Sequence, residues 1–236
     1  MNVVFVFAHQ DDEIAFASRI RYTLDRGDRV QCVCLTDGIN ANIRDEESRI
    51  VLEKLGVGPL IVAKENRIPD GSLPEHMDRA LEFLQSIDAD EVITLAWEGG
   101  HQDHDAAFLV AATYARERGI RCLEMPLYNG HHTPGGFFRV MHPVGDGWTS
   151  RRISMRERIH DILLTRFYPS QRKSWLGLAP LMLLGRPREL TRVADLRRAE
   201  HPPHPGRLLY ERRFHYPYAR FADHARRFLH ARAVPS

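Results

Sequence analysis

The chain has 236 residues, 43% hydrophobic and 27% charged, which fits an ordinary globular protein and excludes disorder, a collagen-like fibre or a disulfide scaffold. Net charge is only +2, so the total points to no special partner. The charge is unevenly spread: residues 1–150 carry 14 basic and 24 acidic side chains, residues 151–236 carry 19 and 7.

Short apolar runs near 2–8, 29–35, 59–63, 91–97 and 120–126 predict strands. Between them, helical patterns lie near 12–26, 44–55, 74–87 and 103–118. Gly27, Gly56 and Gly119 follow helical patterns where a C-terminal glycine is expected. Strands apolar on both faces belong to parallel sheets covered by helices. The pattern therefore predicts an α/β fold, a Rossmann-like doubly wound, mostly parallel sheet of order 3-2-1-4-5 with helices on both faces. After residue 127 the regularity fails. Phe137–Met141 is expected to pair with Arg152–Met155 as a hairpin, followed by a helix near 155–166, an Arg/Pro-rich stretch over 185–207 and a last helix near 217–231. One domain over 1–236 is expected, with a catalytic core over 1–127 and a C-terminal elaboration over 128–236.

Three cysteines, an odd number, sit in apolar runs and behave as small buried hydrophobes of a reducing compartment. The N-terminal segment lacks the features of a signal peptide, and no stretch reaches the ~18–20 apolar residues of a membrane span. The expected location is cytoplasmic.

The first strand ends in Ala8-His9-Gln10-Asp11-Asp12-Glu13, and the fourth runs into Trp97-Glu98-Gly99-Gly100-His101-Gln102-Asp103-His104-Asp105. Acids at a helix start can simply complement its dipole. Two histidine–acid clusters at equivalent strand ends suggest more. In a 3-2-1-4-5 sheet, strands one and four are neighbours at the switch point, where ligands bind. Two histidines and a carboxylate converging there are the donor set of a catalytic zinc site, with the other acids available as base or supporting partner. No Gly-x-Gly-x-x-Gly follows the first strand, which weakens a dinucleotide reading.

These residues resemble the Ala-His-Pro-Asp-Asp-Glu and His-x-Asp-His motifs of the PIG-L/LmbE-like de-N-acetylases. Arg44-x-x-Glu47, Leu55-Gly56 and Thr36-Asp37-Gly38 extend the likeness over about residues 1–127. The resemblance implies His9, Asp12 and His104 as ligands of Zn2+, or of Fe2+ or another divalent metal. It implies Asp11 as general base and a positively charged His101 as acid or oxyanion stabiliser oriented by Asp103. Arg44, Asp37 and Trp97 would face the sugar, although Trp97 could equally be a core residue. Glu13 would support the site without being a ligand. Gln10 and Gln102 stand where the family usually has proline, and Gly99 stands where some relatives carry tyrosine.

The implied reaction removes acetyl from an N-acetylglucosamine-like conjugate. The alternatives are a zinc amidase on a non-sugar acyl-amide, or a non-catalytic nucleic-acid-binding protein using the basic tail. The expected partner is a small N-acetylated sugar conjugate; no nucleic acid is expected, and an oligomer is possible. His131, His132 and His142 fit a lid or exposed loop histidines. The basic, aromatic-interleaved tail is expected mainly in solvated faces and intramolecular pairs. For Trp175–Leu184, core packing is favoured over a dimer contact or a lipid-facing patch.

Overall fold

A computed structural model describes residues 1–37, 41–62 and 68–232. Strand β1 (Asn2–Phe7) is apolar throughout and buried from Val3 onward. Helices α1 (Asp12–Ala15) and α2 (Ala17–Asp25) replace the single expected helix, because Phe16 breaks the run with φ −100° and ψ 1°. Its ring packs edge-on against Phe7, with centroids 5.2 Å apart. Then follow β2 (Arg29–Cys34), α3 (Ala41–Leu55) and β3 (Ile61–Val62). The expected third strand extends to residue 63, which lies outside the described residues, as does Gly38 of Thr36-Asp37-Gly38.

A 3-10 turn, Leu73–His76, leads into α4 (Met77–Gln85), then β4 (Glu91–Leu95), α5 (Gln102–Arg118) and β5 (Arg121–Met125). Every residue of α5 from Gln102 to Ala115 is buried. This apolar helix forms the floor behind the strand ends, so its polar first turn faces inward rather than to solvent. Strands β1 to β5 are parallel in the order 3-2-1-4-5.

The C-terminal part departs from expectation. Strand β6 (Tyr128–Asn129) pairs with β7 (Arg139–Val140), not with 152–155. Strand β8 (Thr149–Arg152) precedes α6 (Met155–Leu163), with a Ser154/Glu157 capping box, and α7 (Arg172–Leu184). It pairs antiparallel with β9 (Arg188–Val193), which itself adds antiparallel to β5. The full order is β3-β2-β1-β4-β5-β9-β8. Helices α8 (Leu209–Arg213) and α9 (Tyr218–His230) close the chain, and Phe221 of α9 is buried against Trp97.

The core-packing expectation for Trp175–Leu184 is corrected. Only Trp175 and Met182 of α7 are buried, while Leu176 and Leu184 are 76% and 83% exposed. Among the described residues, no helix is long and apolar enough to cross a membrane.

Candidate active site

The adjacent carboxyl ends of β1 and β4 deliver the two histidine clusters to one crevice. After β1 the chain turns sharply: Asp11 has φ 108°, a left-handed conformation disfavoured for a residue with Cβ. Its strain is offset by neighbouring bonds. The Asp11 amide donates to Glu13 Oε2 at 2.9 Å, and Arg44 Nη2 donates to the Gln10 carbonyl at 2.6 Å and to Asp11 Oδ1 at 3.2 Å. On the β4 side, the Glu98 and Gly99 amides donate to Asp105 Oδ1 at 3.1 Å, folding the loop back on α5. A Cβ on Gly100 would lie 1.9 Å from the Tyr128 carbonyl oxygen, so the loop needs glycine there.

His9, Asp12 and His104 face one another, all three buried. His104 Nε2 lies 3.3 Å from His9 Nδ1 and 3.3 Å from Asp12 Oδ1, and His9 Nδ1 lies 3.8 Å from Asp12 Oδ2. A tetrahedral site with metal–ligand bonds of ~2.0–2.1 Å sets its ligands roughly 3.3–3.4 Å apart. The three donors therefore fit a divalent cation. Asp12 Oδ2 accepts the His9 amide at 2.9 Å, which leaves Oδ1 for the cation. Burial would raise the Asp12 carboxyl, but His104 and His9 hold it down at about 2.

The far nitrogen of His9, Nε2, sits 3.0 Å from Asp103 Oδ2 and 3.0 Å from Asp70 Oδ1. Burial alone would lower the His9 pKa, yet Asp70, Asp103 and Asp12 raise it well above its ordinary value. This pocket of carboxylates favours positive charge. His9, Asp70 and His101 also converge. However, Asp70 is one-third exposed there and Asp103 competes for the same nitrogen, so the fully buried triad fits a cation better.

Burial, reinforced by Asp12, pushes the Asp11 carboxyl up to about 8. Two expectations for His101 change. Asp103 reaches it through its backbone amide, which donates to His101 Nδ1 at 3.1 Å. The Asp103 side chain holds His9 instead, and also accepts the Gly71 and Leu73 amides at 2.6 and 3.0 Å. Burial, with His9 nearby, pushes His101 down to about 3, away from the positive charge expected of it. With Nδ1 accepting, its proton resides on Nε2.

These residues line a cavity of about 450 Å³. Arg44 lies in its wall between Asp11 and Asp70, donating to Asp70 Oδ2 at 3.2 Å. Trp97 is not in the wall. It is buried between Phe108 and Phe221 because the β4 end directs it into the core, where Nε1 donates to the His201 carbonyl. Asp37 is also not among the described lining residues. Its amide donates to the Ile68 carbonyl at 2.7 Å, securing the loop that carries Asp70. Glu13 supports the turn, accepting from Asp11, Ser48 and the Tyr168 hydroxyl. Gln10 Nε2 donates to Asp45 and Gln102 Nε2 to the Gly71 carbonyl, ties that proline could not make.

Asp70, Tyr128, Trp175 and Phe214 are wall residues the sequence reading missed. Asp70 sits in Pro69-Asp70-Gly71, which reads as an ordinary turn, and the aromatics come from segments without a motif. His131, His132 and His142 are not in the described wall, and His131 stacks on His204 instead.

The sheet order and the buried histidine–carboxylate triad at its switch point define an α/β protein with a metal-competent crevice. Residues 4–115 match the family model described as PIG-L, GlcNAc-PI de-N-acetylase, the family that the motifs resemble. Comparison with curated protein sequences gives no match. Among solved structures, a deacetylase of the teicoplanin biosynthesis pathway is 15% identical with TM-score 0.64, covering 82% of this chain and 97% of its own. The N,N'-diacetylchitobiose deacetylase of Pyrococcus horikoshii is 18% identical with TM-score 0.57, covering 86% and 84%. The 4-carboxy-2-hydroxymuconate hydratase GalB of Pseudomonas putida is 12% identical with TM-score 0.52, covering 82% and 95%. At these identities the likeness is one of fold.

Proposed function

We propose that the protein is a divalent-metal-dependent N-deacetylase acting on an N-acetylated amino-sugar conjugate, with zinc the first choice of metal. The supporting observation is the spacing of His9 Nδ1, Asp12 Oδ1 and His104 Nε2, with Asp11 and His101 bordering the same cavity. The family match and the deacetylases among the structural neighbours favour amide hydrolysis over the hydration named for GalB, since one fold hosts both.

His9, Asp12 and His104 would hold the cation, which when bound supplies Lewis acidity to the amide carbonyl and to water. Asp11 accepts a proton as water forms the new C–O bond. Burial raises its pKa to about 8, so its ionised form is a stronger base than an ordinary carboxylate. Neutral His101 donates a hydrogen bond from Nε2 to the developing oxyanion. The C–N bond then breaks, the amine leaves with the proton collected by Asp11, and the acetic acid formed gives up its remaining proton to solvent and departs as acetate. Arg44 holds Asp11 and Asp70 apart from each other's charge and keeps both facing the cavity.

Asp11→Asn tests the assignment. Bound metal, measured by elemental analysis, should match wild type, while release of primary amine from N-acetylated sugar conjugates should fall about 10²–10⁴-fold in kcat. Turnover within threefold of wild type would remove Asp11 as base. Absence of stoichiometric metal in wild-type protein purified without chelator would remove the metal-dependent reading.

A further inference from the structure

Helix α7 is apolar on nearly all sides, Trp175-Leu176-Gly177-Leu178-Ala179-Pro180-Leu181-Met182-Leu183-Leu184. A helix of that kind is ordinarily enclosed by protein or by lipid. Here only half is enclosed. Trp175 and Met182 point inward, and Trp175 and Leu178 form part of the active-site wall. The opposite face presents Leu176, Leu183 and Leu184 to the outside. Helix α6 also exposes apolar side chains, Met155, Ile159 and Leu163, at four-residue spacing on one face. The two helices meet along a shallow, apolar-walled groove of about 410 Å³, reached by Ile162 from one side and Leu176 and Leu183 from the other. Contiguous exposed apolar surface of this kind marks an interaction site.

The charge around it selects the partner. Segment 151–188 contains nine Arg or Lys and two acids. One of those acids, Asp161, is buried and already bonded to Ser18 and Arg21. Arg166 and Arg172 flank the groove, and Lys173 is exposed on the first turn of α7. At the other end of α7, a second cavity of about 430 Å³ places Arg158, Arg186 and Arg188 beside Leu181 and Leu184, with no acid in its described wall. Arg158 is 2% exposed, with its terminal nitrogens donating to Met141 Sδ and the Arg188 carbonyl, so Arg186 and Arg188 are the cations left at that cavity's mouth. Leucines flanked by Arg166, Arg172, Lys173 and Arg186, which have no carboxylate partner among the described residues, match an anionic lipid–water interface: acyl chains meet the leucines and phosphates the cations. At 13 residues, α7 is about 20 Å long, enough to lie in the interface and too short to cross it.

We infer that the α6–α7 face docks on an anionic phospholipid surface, with the active-site cavity opening beside the docked helix. Docking stands apart from the catalytic reading, because binding is measured without turnover. The full chain is floated with vesicles of phosphatidylcholine alone and of phosphatidylcholine mixed with phosphatidylglycerol. Wild type should partition onto the mixed vesicles, and Leu176→Ser with Leu183→Ser should weaken that partitioning about tenfold or more. Both leucines are exposed, so far-UV circular dichroism and the thermal midpoint should not change. Lys173→Gln with Arg186→Gln should weaken binding to mixed vesicles and flatten its salt dependence. The inference is overturned if wild type ignores the mixed vesicles, or if the leucine variant binds them equally. It is also overturned if sedimentation velocity shows a dimer that the leucine changes dissolve, which would make the face a contact between copies.

Discussion

His9 presents its two ring nitrogens to different neighbours, Nδ1 to Asp12 and His104, Nε2 to Asp103 and Asp70. A carboxylate behind a ligating imidazole fixes its tautomer and raises its basicity. Asp103 is suited to this, being fully buried and anchored by two backbone amides. Asp103→Ala should therefore weaken divalent-metal affinity about 10–100-fold, read by competition with a chromophoric chelator, while Gln102→Ala on the neighbouring position should leave affinity within a factor of about three. Equal effects of the two would show general loosening of the α5 terminus instead. His9, Asp12 and His104 are visible in the sequence because each lies in a dense cluster at a strand end. Asp70 is not, because its function follows from a loop path that brings residue 70 to residue 9, and no local pattern encodes that path. Trp97 misled for a related reason: strand-end position indicates nearness to the crevice but not which side of the strand the ring takes.

At the scale of elements, strands β1 to β5 are legible because burial on both faces demands unbroken apolar runs. Strand β9 is equally part of the sheet but reads Arg188-Glu189-Leu190-Thr191-Arg192-Val193. Two of its charges are partnered inside the protein, Glu189 by Arg19 and Arg151, and Arg192 by Glu124. Composition alone cannot distinguish a paired buried charge from a solvated one, so the segment reads only as part of an Arg/Pro-rich stretch. The loop after β4 shows the same logic with testable energetics. Glu98 is buried, accepts the Leu127 amide at 2.6 Å and Asn129 Nδ2 at 3.0 Å, and is pushed up to about 7 by burial. Its folded pKa thus lies above the unfolded value of ~4.3. Below that value both states are protonated. Between roughly pH 4.3 and 7 the unfolded chain releases a proton that the native state keeps, so stability falls as pH rises, then levels off. Glu98→Gln removes this term. Relative to wild type, the variant should gain roughly 3–4 kcal/mol between pH 4.5 and pH 8 in urea unfolding, whatever its offset at low pH. A pH-independent difference would show that Glu98 is ionised in the native state.

For the whole molecule, the acidic front and basic back become the two sides of one internal interface. Glu124 of β5 is bonded by Arg192 Nε at 2.8 Å and Arg198 Nη1 at 2.6 Å. Glu75 takes Arg220 at 2.9 Å, Asp78 takes Arg232 at 2.6 Å, and Arg19 of α2 reaches forward to Glu189 at 3.1 Å. These pairs join the β8–β9 and α9 additions to the parallel sheet and its helices; four of them set a front carboxylate against a back arginine, and Arg19–Glu189 runs in the opposite sense. The buried pair should matter most. Glu124→Gln leaves Arg192 only 5% exposed and without its carboxylate, and removing one partner of a buried pair costs about 3–5 kcal/mol. Combining it with Arg192→Met removes the stranded charge and should recover most of that loss, because apolar replacement of a buried pair is often neutral. Asp223→Ala, which breaks the exposed Asp223–Arg227 pair on α9, should cost less than about 1 kcal/mol. Urea midpoints for the three variants separate the cases. If the single Glu124 change costs no more than the Asp223 change, the two halves are held by apolar contact, and the charge segregation plays no part in joining them.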